Sequence, residues 1–277
     1  MTCQFLRLKP HDKALLCMSL KHIGAKMMVV RSLIANLDLL VTPPSKNPLA
    51  DITEPLNFVA MVPLQVYNSM QNPTEYERLK RIEKLIIGGG QIDEKLEEEL
   101  KKFPNEVWST YGMTETLSHI AMRRINGPHA SHWYQTLSGI NISTQTDGCL
   151  VIDAPHLSEK PIVTNDIVEI NANNEFKILG RKDNVINSGG IKIQIEEVEK
   201  IVGKHLNNSF AISGKKDIMY GEIVVLYYTP STHFSQEILT AINNELPKYH
   251  KIKEAVCIDE IPLTSNGKID RGSLRNK

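Results

Sequence analysis

A chain of 277 residues can bury at least one full core and can divide into two domains. Its 32 Lys and Arg balance 32 Asp and Glu, so no surface suited to nucleic acid or an anionic membrane is expected. The four cysteines, Cys3, Cys17, Cys149 and Cys257, are scattered without ligand spacing and read as reduced thiols of a cytoplasmic protein.

No apolar run is long enough to span a bilayer, because residues 27–41 are interrupted by Arg31 and Asp38. Residues 1–13 lack the apolar core of a signal peptide. Residues 14–18 then read as a buried strand, 25–37 as a helix and 39–41 as a second strand before Pro43 and Pro44. Another apolar run covers 58–62, and Pro63 is suited to opening a helix, where a proline sacrifices no intrahelical bond. A strand at 85–87 ends in Gly88, Gly89 and Gly90. Asp93 is placed to cap the next helix, whose apolar face is Leu96, Leu100 and Phe103. Glu97 with Lys101 and Glu98 with Lys102 are spaced for pairs on a solvated face of that helix. This strand and helix alternation predicts a mostly parallel sheet that binds ligands beyond the carboxyl ends of its strands.

From Gly148 the texture changes to short runs at 149–152, 167–170 and 176–179 between Asn- and Pro-rich turns, which predicts a small β subdomain. Beyond Gly180 the pattern mixes helices at 195–202 and 236–246 with strands at 210–213, 223–228 and 256–258. The domain boundary is placed at Asp183, giving domains of 1–182 and 183–277.

Five short motifs carry chemistry in this order. Three glycines, Gly88 to Gly90, allow backbone to approach a flat ligand where a Cβ would clash, although they also suit a plain turn. In Tyr111-Gly112-Met113-Thr114-Glu115-Thr116, Tyr111 can stack on a base and Thr114 can donate to a phosphate oxygen. Glu115 can hold Mg²⁺, an ion that favours a carboxylate plus phosphates; the bland alternative is that Thr114 and Glu115 cap a helix. Asp166 in Thr164-Asn165-Asp166 can accept from both ribose hydroxyls, with Arg181 following in Gly180-Arg181-Lys182-Asp183. Last comes Asn266-Gly267-Lys268.

This ordered set resembles the adenylate-forming superfamily of acyl-CoA synthetases, peptide-synthetase adenylation domains and luciferases. The wording from Tyr111 through Ser118 and His119 is most similar to its o-succinylbenzoate–CoA ligases of menaquinone biosynthesis. The resemblance implies an α/β fold: a large AMP-binding domain, shortened at its N-terminus, and a small α+β domain that moves. It implies ATP and AMP contacts from Gly88, Gly89, Gly90, Tyr111, Gly112, Met113, Thr114, Asp166 and Arg181, and Mg²⁺ held by Glu115. It further implies a hinge at Asp183, CoA contacts from Gly189, Gly190 and Lys192, and a catalytic lysine at Lys268. His22, Ser118 and His119, with Lys26, are the candidates near the acyl substrate. Asn165 departs from the family's usual glycine, and Ser188-Gly189-Gly190 also suits a simple tight turn.

The implied activity is an acid–thiol ligase: an aromatic carboxylate and ATP give an acyl-adenylate, and CoA then displaces AMP. The partners are small molecules, with homo-oligomerisation an open alternative. The family's Ser/Thr/Gly-rich phosphate loop ending in Lys has no counterpart in residues 1–13, and the resemblance runs from about Phe5 onward. Two other readings therefore stand beside the first: another aryl- or acyl-CoA ligase, and a non-catalytic nucleotide- or acyl-CoA-binding remnant.

Overall fold

The computed structural model describes residues 1–206, 210–264 and 269–276. By packing, the chain forms two compact units. The first holds Met1–Gln145, Val151–Thr164 and Glu169–Lys177, and the second holds Thr146–Leu150, Asn165–Val168 and the chain from Ile178 onward.

In the first unit α1 (Thr2–Phe5) leads to β1 (Lys13–Leu16), α2 (Ile23–Ala35) and β2 (Asp38–Val41). These are followed by β3 (Phe58–Met61), α3 (Pro63–Gln71), α4 (Pro73–Arg81), β4 (Lys84–Ile87), α5 (Glu94–Leu100) and β5 (Glu106–Gly112). Then come β6 (His119–Arg124), β7 (Gln135–Thr136) and β8 (Asn141–Thr144). The main sheet runs β2-β1-β3-β4-β5-β6-β7, and every pair from β2 to β5 is parallel. Strands β6 and β7 extend it antiparallel. Parallel strands need crossovers that cover their faces, so all four residues of β3 and of β4 are buried. The core beneath them joins Leu15, Val59, Met61, Leu85 and Ile87 to Val66, Leu79, Leu96 and Leu100 of the helices.

Local signals act as expected at α3, which opens on Pro63, and at α5, where the Asp93 carboxylate accepts from Leu96 N–H at 3.0 Å. The charge run on α5 behaves differently from its spacing. The pairs formed are Glu98 with Lys101 and Glu99 with Lys102, three residues apart, at 2.6 Å each. Glu97 is not on a solvated face: it is buried and takes a two-pronged bond from Arg123 of β6 at 3.0 and 2.5 Å. Position 97 shares the helix side of the core residues Leu96 and Leu100, and a carboxylate enclosed there requires a cation.

Next along the chain are β9 (Cys149–Asp153), β10 (Ile162–Ile170) and β11 (Phe176–Arg181), which form a second sheet in the order β11-β10-β9-β8. Strand β10 starts well before the expected position, so Thr164, Asn165 and Asp166 lie within it. Period two then buries Thr164 and Asp166 and leaves Asn165 exposed.

The second unit continues with β12 (Val185–Ser188), β13 (Ile191–Gln194), α6 (Ile195–His205), β14 (Phe210–Asp217) and β15 (Gly221–Tyr228). It ends with α7 (Gln236–Glu245), β16 (Glu254–Cys257) and α8 (Arg271–Arg275). Its sheet runs β13-β12-β15-β14, with β16 parallel beside β15. Strand β15 is apolar at consecutive positions because both of its faces are covered. Val224 and Leu226 pack with Val198, Val202 and Ile242 of α6 and α7, whereas Val225 and Tyr227 pack with Leu274 of α8. Among the described residues no helix is long and apolar enough to cross a membrane.

Candidate functional site

Two groups of the expected residues are brought together, one in each unit. In the first unit both glycine-bearing motifs follow carboxyl ends of adjacent parallel strands, Gly88 after β4 and the Tyr111 motif at the end of β5. That edge is where open α/β sheets bind ligands. Gly112 is fixed by a close approach: a Cβ there would collide with the Ser118 carbonyl and the His119 Cα, its neighbour across to β6. Tyr111 is largely buried, edge-on to Phe176 and Tyr134 with ring centroids 5.0 and 6.1 Å away.

Thr114 and Glu115 do not cap a helix. They lie in the six-residue connection 113–118 between β5 and β6, and both are exposed. That connection is organised by Thr116, which is buried. Its hydroxyl accepts from Met113 N–H at 3.0 Å and donates to the Ser118 carbonyl at 2.7 Å. Among the described residues no group of three or more His, Cys, Asp or Glu is arranged to hold a metal. A single exposed carboxylate such as Glu115 fits Mg²⁺, which takes one or two carboxylates and completes its shell with phosphate oxygens and water.

Beside this edge lies a buried cation that the sequence reading did not assign. Arg31 of α2 is 5 % exposed, and its Nη2 donates to Ser118 Oγ at 2.6 Å. Among the described residues its Nη1 meets the Met28 sulfur at 3.9 Å, and its Nε is buried without a partner. Among the described residues no carboxylate pairs with it. Burial accordingly pushes the guanidinium down to about 10. His119 stands next to Ser118, its Nε2 2.9 Å from Thr2 Oγ1, and burial together with the Arg31 charge pushes its imidazole down to about 3. His119 is therefore neutral at pH 7. The signal for Arg31 was present in the sequence as the one charge within the apolar stretch of α2 after Lys26. His22 sits at the N-cap of α2, exposed and making no side-chain capping bond, and Lys26 is exposed.

In the second unit Asp166, Arg181 and Asp183 form a continuous ionic chain. Arg181 Nη1 donates to Asp166 Oδ1 at 2.9 Å, while its Nε and Nη2 donate to the two Asp183 oxygens at 2.8 Å each. The pairing raises the Arg181 guanidinium and holds the Asp183 carboxyl below its ordinary value. Gly189 and Gly190 make the two-residue turn between β12 and β13, with φ of 57° and 82°, a left-handed pair typical of a tight hairpin. The segment thus has the form of the simple turn, and Tyr220 lies against it, its carbonyl accepting from Gly189 N–H at 2.8 Å. Lys192 is exposed on β13. Lys268 lies outside the described residues, and so do Asn266 and Gly267 of its motif.

Residues 1–158 match the AMP-binding enzyme model, and residues 197–268 match the AMP-binding enzyme C-terminal domain. The chain belongs to the AMP-binding enzyme family.

Its relatives include the 2-succinylbenzoate–CoA ligase of Lactococcus lactis subsp. lactis, 25% identical over 96% of this chain and 62% of that protein. The chain thus spans about three fifths of the length of the curated relatives it matches first. An acyl-CoA synthetase (AMP-forming)/AMP-acid ligase II-like protein from Dyadobacter fermentans is 32% identical. The match covers 98% of this chain and 80% of that one with a TM-score of 0.64. The o-succinylbenzoate CoA synthetase of Bacillus subtilis, solved with its acyl-adenylate intermediate, superposes with a TM-score of 0.85 at 20% identity. It covers 100% of this chain and 63% of the other, a likeness of fold.

Proposed function

We propose that the chain carries the machinery of an AMP-forming acid–CoA ligase acting on an aromatic dicarboxylate of the o-succinylbenzoate type. The observation that carries this reading is Arg31: a buried guanidinium with a partnerless Nε and no carboxylate beside it, close to the Tyr111 motif through Ser118. Burying a lone charge is costly, and a ligand that brings its own carboxylate offsets that cost. An aromatic acid with a second, free carboxylate supplies one group to react and another to pair with Arg31. Neutral His119 and Ser118 flank the same place as hydrogen-bonding groups.

The roles of the other residues are those that the family resemblance implies. Gly88 to Gly90 and Tyr111 border the adenine, Thr114 reaches a phosphate oxygen, and Asp166 with Arg181 holds the ribose. A carboxylate oxygen of the substrate attacks the α-phosphorus of ATP and pyrophosphate leaves. Lys268 stabilises the charge that builds on the phosphoryl oxygens. Mg²⁺ at Glu115, when bound, neutralises charge on the phosphates. The domain beyond Asp183 then turns about that residue, and the CoA thiol sulfur attacks the acyl carbonyl as AMP departs, with Gly189, Gly190 and Lys192 facing the incoming arm. The same reading assigns the chain a step in menaquinone biosynthesis, supported by its likeness to 2-succinylbenzoate–CoA ligases.

The test is pyrophosphate release from ATP and Mg²⁺ with o-succinylbenzoate, benzoate and straight-chain acids, each with and without CoA. Release that is strongest with o-succinylbenzoate, with thioester formed on adding CoA, is the expected outcome. Equal release with benzoate would remove the role of Arg31 and leave a general aryl–CoA ligase. No release with any acid, alongside retained AMP binding, would favour a nucleotide-binding protein without ligase activity.

A further inference from the structure

The first unit holds a second concave surface, at the end of its main sheet opposite the glycine and Tyr111 motifs. A cleft of about 740 Å³ opens beside Lys84 of β4, Glu106 and Trp108 of β5 and Arg124 of β6. In the sheet register Lys84 lies next to Glu106 and Trp108 next to Arg124, so the cleft sits at the amino ends of the two parallel strands. Every residue that lines it belongs to the first unit. Its volume lies within the roughly 300–1,000 Å³ of small-molecule sites.

The lining is aromatic and cationic together. The chain has two tryptophans, and both Trp108 and Trp133 line this cleft, each partly exposed. Phe5 of α1 adds a third ring, edge-on to Trp108 with centroids 5.2 Å apart. Each indole has a cation against its ring, Arg124 at 5.2 Å from the Trp108 centroid and Lys177 at 5.5 Å from that of Trp133. The carboxylates of the lining are already engaged. Glu83 pairs with Lys84, and Glu106 pairs with Arg124 at 3.3 Å while accepting from Trp108 Nε1 at 3.2 Å. Glu175 accepts from Asn171 Nδ2 at 2.9 Å. Arg123, the other cation of the strands here, is matched by Glu97 of α5. Two lining cations are left over, Arg7 and Lys9. Both are exposed, and among the described residues neither forms an ion pair.

Arg7 stands there at a backbone cost. It follows α1 with φ of 52°, the left-handed conformation that glycine usually takes at a helix end. The turn is closed by Arg7 N–H to the Gln4 carbonyl at 3.1 Å and Leu8 N–H to the Cys3 carbonyl at 2.9 Å. Glycine would make the same turn without strain, so the turn does not account for an arginine.

We propose that this cleft is a binding site for a small planar aromatic anion, with its ring against the indoles and its charged group between Arg7 and Lys9. Aromatic surface and fixed positive charge are each attractive to one half of such a ligand. A neutral aromatic lacks the charge for Arg7 and Lys9, and an aliphatic acid lacks the ring. The site is separate from the motifs at the carboxyl ends of β4 and β5, and it stands whether or not the chain is a ligase.

The two tryptophans supply the assay, because the only indole N–H resonances of the ¹⁵N-labelled chain come from the cleft itself. The full chain is titrated with 2-naphthoate, 2-naphthyl phosphate, 2-naphthylmethanol and cyclohexanecarboxylate. The titrations are repeated with saturating AMP and in Arg31→Met, which removes the cation of the candidate acyl site. Arg7→Gly and Lys9→Gln are titrated beside thermal melts.

Both naphthyl anions should shift both indole signals saturably, and the tighter of the two shows whether the cleft takes carboxylate or phosphate. The alcohol and the aliphatic acid should bind at least about tenfold more weakly, the loss of one charge-assisted contact or of the ring. AMP and Arg31→Met should leave the naphthyl affinities unchanged. Arg7→Gly and Lys9→Gln should each weaken them about tenfold, with Arg7→Gly melting no lower than the wild type because glycine suits its φ. Absence of a saturable shift with either anion would overturn the proposal. So would equal binding of the alcohol, which would make the cleft a plain apolar surface. Loss of the shift on adding AMP or in Arg31→Met would assign the ligand to the candidate functional site and overturn the proposal as well.

Discussion

Replacing Arg31 by methionine should separate what this residue does for the fold from what it does for a ligand. In the fold it is a burden. Burial pushes its guanidinium down to about 10, a shift that works against the charged form by about 3 kcal/mol. Because the folded value lies below the unfolded one, the unfolded chain holds the proton more tightly. The penalty is present at every pH below about 10 and fades only as pH rises above it. Methionine fills similar volume without charge, so it relieves that cost. It loses the 2.6 Å bond to Ser118, a charge-assisted interaction of about 1.5–3 kcal/mol. The two effects nearly cancel, so Arg31→Met should leave the melting temperature unchanged or slightly higher, whereas an ordinary core substitution lowers stability by about 0.5–3 kcal/mol. Binding should respond differently. A substrate carboxylate paired with Arg31 loses about 1.5–3 kcal/mol, roughly a ten- to hundredfold rise in KM for o-succinylbenzoate. Benzoate, with no second carboxylate, should lose nothing. The assay is steady-state pyrophosphate release with both acids beside a thermal melt of each protein. A melting temperature several degrees lower, with both acids affected alike, would refute the argument and make Arg31 a structural residue.

Three further outcomes follow from the same geometry. His119, held neutral down to about pH 3, gains a proton on unfolding, so stability should fall by up to about 1.4 kcal/mol per pH unit as pH drops below roughly 6.5. Denaturant titrations between pH 6.5 and 5, above the ordinary carboxylate range, should show this slope in the wild type and lose it in His119→Gln; parallel slopes would contradict it. Thr116→Val leaves Met113 N–H and the Ser118 carbonyl without their partner and should cost about 1–3 kcal/mol, whereas Thr116→Ser should keep most of it; urea midpoints decide. Glu75 is buried and accepts from Asn47 Nδ2, Leu49 N–H and Ser69 Oγ, so Glu75→Ala should lower stability by about 3 kcal/mol or more, and a midpoint within error of wild type would show that water replaces the carboxylate.

Most of the fold was legible because its signals are local. Pro63 and Asp93 start their helices by backbone chemistry that three or four residues contain, and the run 58–61 is apolar throughout because a parallel strand is covered on both faces. The glycines after β4 and the Tyr111 motif after β5 could be placed at one sheet edge from strand order alone. Failures came where a partner far along the chain decides. Glu97 looked like a surface charge because its spacing to Lys101 is local, while Arg123, 26 residues away, is what buries it. The length of β10 was missed because Asn165 and Asp166 read as turn residues, yet pairing in a sheet overrides that preference and alternation then assigns Asp166 to the buried face.

The same distinction separates the residues that the motifs named from Arg31, which they did not. The proposed contacts to adenine, ribose and phosphate lie in short motifs whose residues are adjacent in sequence, so order and spacing point to them. Arg31 of α2 and Ser118, just ahead of β6, are 87 residues apart, and only the fold shows that they meet. Arg31 stood out in the sequence only as an interruption of an apolar run, the mark of either a snorkelling surface residue or a buried cation. What decides between these is exposure, and at 5 % the guanidinium cannot reach water freely. On the proposed function, the carboxylate that offsets this burial arrives with the substrate.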